Sequence, residues 1–185
     1  MPGRRILCGL VLSAGCLLAE AFGFVLQSPS LQPGAAIPMD QIYRGDGCNG
    51  RNMSPALAWR HPPPGTRSFA VTIFDPDAPT GFGWWHWVVL DLPPSTRALA
   101  AGAGAADAHA LPRGALELRN SYGTRGYGGP CPPPGSAAHH YRFTVYALDV
   151  RRLALSADAS AKRAIRLIRA HALGRARFSA DFGRP

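Results

Sequence analysis

The sequence predicts a mainly β protein, a two-sheet antiparallel β-sandwich with one late C-terminal helix. Gly accounts for 21 and Pro for 18 of the 185 residues, well above their usual share, which favours short strands joined by turns over a helical bundle. The composition, 46% hydrophobic and 17% charged, is that of a folded chain rather than a disordered one. Helical periodicity is confined to one segment near the end. The length fits a single domain.

Strand patterns justify the β assignment segment by segment. In 67–75, Phe69, Val71 and Ile73 share one face, while the opposite face is also largely apolar, which indicates a strand covered on both sides. Proline turns precede this segment and follow 84–92. We predict strands in six segments: 24–28, 67–75, 84–92, 116–120, 141–148 and 176–182.

Residues 160–173 have the spacing of an amphipathic helix. Ala161, Ile165, Ile168 and Ala172 form an apolar stripe, and Gly174 is the expected C-terminal cap. No domain boundary is visible between residue 22 and residue 185, so we expect one domain there.

The N-terminus has the pattern of a signal peptide. Arg4 and Arg5 precede an apolar run at 6–19, and Ala19-Glu20-Ala21 supplies the small residues before a cleavage site. We therefore predict a signal peptide at 1–21 and a periplasmic or secreted protein. The alternative is lipidation at Cys16. No second segment reaches membrane-spanning length.

Removal of residues 1–21 leaves two cysteines, Cys48 and Cys131. Because cysteines of exported proteins are usually oxidised, we predict a Cys48–Cys131 disulfide. Two separate buried thiols are the alternative.

Three polar segments stand inside or beside the apolar strands. Asp75 and Asp77 flank a proline at a strand end, and His86 lies among three tryptophans. A stiff loop at 129–135 precedes His139 and Tyr141. Each segment alone has an ordinary structural explanation, but their coincidence predicts a small anion pocket. In it, histidines and backbone N–H groups would contact an oxyanion, and an aspartate would orient a ring.

The motifs DPDAP, GWWHWVV and GYGGPCPPPG, followed by HHYRFTVYALD, resemble the phosphatidylethanolamine-binding protein family, particularly its bacterial Raf kinase inhibitor-like branch. The resemblance extends over nearly all of the chain from residue 24 to residue 182. It implies a β-sandwich with a pocket for phosphate-type anions or phospholipid headgroups. By motif match, the ligand-binding residues would be Asp75, Asp77, Pro79, Trp85, His86, Gly129, Cys131, Pro132, His139 and Tyr141.

One departure from the family pattern concerns the pocket's charge. The family usually has Arg after the pocket histidine, whereas this chain has His140, with Arg142 two positions on. A permanently charged guanidinium is thus replaced by a titratable ring, which is expected to alter the affinity of the pocket and its pH dependence.

The favoured function is a non-catalytic binding protein for a small anion, without a cofactor. The sequence contains no Gly-x-Ser-x-Gly motif and no HExxH motif. An inhibitor that binds a kinase or protease is the first alternative. A metal-dependent hydrolase using Asp75, Asp77, His86 and His139 is the second.

The predicted helix carries a basic face that includes Lys162, Arg163, Arg166 and Arg169. We interpret it as solvated surface, with weak attraction to anionic lipid as the alternative. No aromatic residues interleave with these charges, so we expect no nucleic-acid binding.

Overall fold

A computed structural model describes residues 23–105 and 110–184. The predicted signal peptide at 1–21 lies outside the described residues. The elements are β1 (Val25–Gln27), β2 (Arg44–Gly45), β3 (Cys48–Asn49), β4 (Leu57–Arg60), β5 (Ser68–Asp75), β6 (Trp84–Leu92), β7 (Ala98–Leu99), β8 (Leu116–Glu117), β9 (His139–Leu148), α1 (Ala161–His171) and β10 (Ala172–Phe182).

The strands form two facing sheets and a small hairpin. The larger sheet has five antiparallel strands in the order β10-β9-β5-β6-β8, and the smaller has the order β1-β4-β7. Their inner faces share one core, in which Trp59 of β4 contacts Phe69 of β5 at 5.4 Å between ring centroids. The predicted two-sheet antiparallel sandwich is confirmed.

The helix α1 covers part of the outer face of the larger sheet. Ser160 caps its N-terminus by accepting a hydrogen bond from the Arg163 N–H at 3.2 Å. Ile165 and Ile168 are buried in a second apolar cluster that includes Ala70 of β5. Strand β5 is therefore covered on both faces, as its sequence predicts.

The predicted C-terminal cap at Gly174 is wrong. The helix ends at His171, and Ala172 is already the first residue of β10. Gly174 lies at an irregularity in the pairing of β10 with β9. A Cβ at this position would approach Pro63 to 2.8 Å, so glycine is needed there for close packing rather than for ending the helix.

The hairpin β2–β3 is tied to the proline-rich loop by the Cys48–Cys131 disulfide, as predicted. The Cα atoms of the two cysteines are 6.0 Å apart. The hairpin and the two-residue strand β7 lie outside the six segments predicted as strands, because neither has strand periodicity. Within the described residues, no helix is long and apolar enough to cross a membrane.

Candidate functional site

A cavity of about 230 Å³ opens at one end of the larger sheet. It lies where β5 ends and where β6 and β9 begin, because antiparallel pairing places Asp75 opposite Trp84 and brings the start of β9 beside them. The lining residues are Asp46, Asp75, Ala78, Pro79, Thr80, Trp84, His86, Tyr122, Cys131, Pro132, Pro133, His139 and Tyr141.

A buried aspartate–histidine pair forms one wall. His139 Nδ1 donates to Asp75 Oδ2 at 2.7 Å. The other carboxylate oxygen of Asp75 accepts the Asp77 N–H at 2.8 Å. Because the rigid Asp-Pro-Asp turn fixes this carboxylate, the orientation of the His139 ring is fixed too.

His86 reaches the cavity through an irregularity in the sheet. On β5, Ile73 pairs with Trp87 and the next residue, Phe74, pairs with Trp85, so His86 is an extra residue on β6. Such a β-bulge redirects a side chain. The His86 ring is buried, and its Nδ1 donates to the Gly128 carbonyl at 2.6 Å.

Burial determines the protonation state of His86. Desolvation lowers the pKa of His86 to about 4, despite the opposing effects of the Gly128 carbonyl and the nearby Asp75 charge. The ring is therefore neutral at pH 7. Since Nδ1 carries the proton, Nε2 is a free acceptor, and it has no hydrogen-bond partner among the described residues.

Two tyrosines complete the polar lining. The hydroxyl of Tyr141 is buried without a hydrogen-bond partner in the described chain, and the Tyr141 ring lies 5.1 Å from that of His86. The Tyr122 hydroxyl donates to the Gly129 carbonyl at 2.9 Å. Burial raises the pKa of both phenols, so both remain protonated donors.

Close packing of the 126–133 loop explains its glycines. A Cβ on Gly129 would lie 2.1 Å from the Gln41 carbonyl oxygen, so only glycine fits there. The Gly129 N–H donates to Asn52 Oδ1 at 2.7 Å. The Gly129 N–H is therefore not directed at the cavity, although Gly129 was predicted as a ligand-binding residue.

Two further predicted site residues lie away from the cavity. Trp85 stands on the outer face of the sheet against Phe74, and Trp84 lines the cavity in its place. Asp77 lies at the surface, where its carboxylate accepts from both the backbone N–H and Nδ1 of His140 at 2.8 Å. This pairing raises the pKa of His140 and lowers that of Asp77.

The remaining predicted site residues, Asp75, Pro79, His86, Cys131, Pro132, His139 and Tyr141, all line the cavity. Tyr122 also lines the cavity but was not among the predicted site residues; its ring stacks on Tyr43 at 4.0 Å. Its segment, rich in Gly, Thr and Ser, has no periodicity that would place it. Within residues 23–105 and 110–184, no three His, Cys, Asp or Glu side chains are grouped so as to hold a metal ion.

The fold and the motifs around this cavity are those of the phosphatidylethanolamine-binding protein family. Residues 27–183 match the phosphatidylethanolamine-binding protein family, to which the chain belongs. This match confirms the family that the sequence motifs indicated, and with it the predicted β-sandwich. Members of this family are typically binding proteins.

Among curated proteins, the chain is 45% identical to YbhB of Escherichia coli K12 over 157 residues, covering 85% of this chain and 98% of that one. It is 41% identical to YbcL of the same organism, over 85% and 86% of the two chains. The crystal structure of E. coli YbcL, described as a member of the mammalian family, matches with a TM-score of 0.86 at 38% identity, over 88% of this chain and 99% of that one. LppC of Mycobacterium tuberculosis, which bears the name lipoprotein, is 38% identical over 85% of this chain and 71% of that one.

Proposed function

We propose that the protein is a non-catalytic binding protein whose cavity holds a small anion, either phosphate or the phosphate of a phospholipid headgroup. One observation carries the proposal. Three residues that line the cavity each have a buried polar atom without a hydrogen-bond partner in the described protein: His86 at Nε2, Tyr141 at its hydroxyl and Trp84 at Nε1. Burying a polar group unpaired costs about 1–3 kcal/mol, so three such groups around one cavity are expected to serve a ligand.

Nε2 of His86 and the hydroxyl of Tyr141 offer complementary chemistry. The Tyr141 hydroxyl donates, whereas neutral His86 accepts at Nε2 and donates there only after gaining a proton. A monoprotonated phosphate suits the neutral ring, because its P–OH donates to Nε2 while its other oxygens accept from Tyr141. A fully ionised anion instead requires His86 to be protonated on binding.

The Asp75–His139 pair supports the same ligand. Both oxygens of Asp75 are occupied within the protein, so Asp75 is suited to orienting His139 rather than to contacting an ammonium group. Asp75 holds the His139 ring at Nδ1, and the ring lines the same cavity, where it can contact the anion. The cavity of about 230 Å³ is smaller than sites for drug-sized molecules, which fits a headgroup or a free anion.

The hydroxyl groups of the cavity favour binding over catalysis. The Tyr122 hydroxyl donates to the Gly129 carbonyl, and the Thr80 hydroxyl donates to the Gly83 carbonyl. In the described chain, no hydroxyl lining the cavity is hydrogen-bonded to a histidine. The pairing of a nucleophile with a base that hydrolases use is therefore lacking among these residues.

Export fits the same proposal. The Cys48–Cys131 disulfide is typical of proteins that leave the reducing cytoplasm, and the relative LppC is named a lipoprotein. We therefore place the binding function in the periplasm or outside the cell.

Calorimetric titration tests the proposal. Phosphate and phosphoethanolamine are each titrated into the protein, its His86→Ala variant and its Tyr141→Phe variant. We expect saturable binding that is abolished in His86→Ala and weakened in Tyr141→Phe, which keeps the ring but loses the donor. Phosphate alone binding identifies a free-anion site, whereas tighter phosphoethanolamine binding identifies a headgroup site. Absence of heat in all three proteins would refute the proposal and leave a protein partner as the next candidate.

A further inference from the structure

We propose that the outer face of the larger sheet, beside α1, docks on the surface of an anionic phospholipid bilayer. This proposal goes beyond the anion cavity, because it rests on other residues. The helix covers only part of this face. Beyond it, Thr72 and Thr144 form the floor of an open depression of about 160 Å³.

Four arginines surround this depression: Arg142, Arg169, Arg175 and Arg177. Strand pairing accounts for the convergence, since Arg177 lies opposite Thr144 and Arg175 opposite Tyr146 on the same face. All four are exposed, and within the described residues none forms an ion pair with a carboxylate. A cluster of like charges without counter-charges produces a positive potential that attracts anions.

A larger groove continues this basic depression. The two share Trp85, Ile165 and Arg169, and the groove, of about 890 Å³, adds Lys162 and Phe82. Phe82 is 83% exposed, the highest value among the large hydrophobic residues described as exposed. We call these residues together the outer basic face.

An exposed aromatic beside a set of cations favours a bilayer over a hydrated polyanion. A soluble polyanion satisfies the arginines but gives the Phe82 ring nothing to bury against. At a bilayer, the guanidinium groups lie at the level of the lipid phosphates, and the ring inserts among the headgroups. Of the carboxylates around this face, Asp158 is paired with Arg119, which lines the groove, and Asp77 is bound to His140.

The position of Phe82 connects this surface to the cavity. Phe82 lies in the turn between β5 and β6, which also supplies Pro79 and Thr80 to the cavity wall. Docking through Phe82 would bring the cavity mouth close to the lipid headgroups.

Vesicle co-sedimentation tests the proposal. The vesicles consist of phosphatidylcholine with or without phosphatidylglycerol, and they contain no phosphatidylethanolamine. We expect binding only to the vesicles that contain phosphatidylglycerol, and binding that decreases as salt is raised. Equal binding to both kinds of vesicle, or to neither, would overturn the proposal. So would loss of vesicle binding in His86→Ala, since that would assign the binding to the cavity.

Two matched pairs of variants locate the surface. Each cation near an anionic membrane contributes about a fivefold change in binding, so the double variant Arg142→Ala/Arg177→Ala should lower the vesicle partition constant roughly 25-fold. The control Arg44→Ala/Arg113→Ala removes the same charge from exposed sites outside the outer basic face. An equal loss in the control would show that net charge alone is responsible and would overturn the proposal.

Phe82→Ala tests insertion of the ring. Burying a phenylalanine side chain raises a partition constant about tenfold or more, so Phe82→Ala should lower the vesicle partition constant by that factor. The control is Met39→Ala, because Met39 is 56% exposed and is not part of the outer basic face. If the partition constant of Phe82→Ala is unchanged, the ring does not insert into the bilayer. That result would overturn the proposal and indicate that the arginines bind a soluble polyanion instead.

Discussion

His139 Nδ1 lies 2.7 Å from Asp75 Oδ2, and both side chains are almost fully buried, at 7% and 4% exposure. A pair of the same type joins two surface residues, in which His171 Nδ1 lies 2.9 Å from Asp149 Oδ1 with 37% and 50% of the side chains exposed. The two pairs share their contact but differ in burial, so each provides a control for the other.

Asp75→Asn should lower the free energy of unfolding by about 1–3 kcal/mol, because a buried hydrogen bond to a charged group is weakened and the His139 ring loses its anionic partner. The matched exposed change, Asp149→Asn, should cost about 0–1 kcal/mol. Urea denaturation at pH 7 measures both. Equal effects would contradict a special role for burial at Asp75.

The depressed pKa of His86 predicts a pH-dependent stability. Burial lowers this pKa from 6.5 to about 4, so between these values the unfolded chain binds a proton that the folded chain does not. The stabilising effect of the neutral ring is complete above pH 6.5 and decreases as the pH falls toward 4. The expected decrease is about 3 kcal/mol.

Carboxylates also titrate in acid and change the stability. Comparison with His86→Gln separates the contribution of His86 from theirs. Urea denaturation of both proteins should show the difference between their free energies of unfolding shrinking as the pH falls from 7 to 4. A difference that stays constant with pH would contradict a buried neutral His86.

Sulfate provides a test of proton uptake, because it remains fully ionised and has no hydroxyl to donate to Nε2. Binding at His86 must then be coupled to protonation of the ring, so affinity should rise by up to about tenfold for each unit that the pH falls from 7 toward 5. Calorimetry over this range measures the slope. In His86→Gln the slope should disappear; if it persists unchanged, the proton is bound elsewhere.

The disulfide should support both stability and binding. Replacing Cys48 and Cys131 with alanine removes a link across 83 positions of the chain, which should lower the free energy of unfolding by about 2–4 kcal/mol. Anion affinity should fall as well, because Cys131 lines the cavity and the tether to β3 is lost. Thermal unfolding with and without reductant, followed by phosphate titration, measures both effects. Full retention of the melting temperature would contradict the structural role.

Much of the fold could be predicted because long strands have clear periodicity. The pattern of Phe69, Val71 and Ile73 predicts β5 and both of its covered faces. The hairpin β2–β3 and β7 could not be predicted in this way, because strands of two residues have no period. The end of α1 was also missed, since the chain enters β10 directly and Gly174 has a packing role there instead.

The site was predicted less completely than the fold, and the bulge at His86 is the main reason. Strict alternation places Trp85 on the same face as Trp87, but the extra residue shifts Trp85 outward and leaves Trp84 in the cavity. A bulge depends on pairing between β5 and β6, which one strand's sequence does not reveal. Tyr122 was missed because its position depends on packing against Tyr43.

The central claim is that Nε2 of His86 and the hydroxyl of Tyr141 receive an anion. The most direct measurement follows the ring nitrogens of each histidine by NMR during titration with sulfate at pH 6. The claim predicts that Nε2 of His86 changes from the unprotonated to the protonated chemical shift as binding saturates, while the exposed His171 ring does not respond. A saturable response confined to other histidines, with His86 unchanged, would contradict the claim.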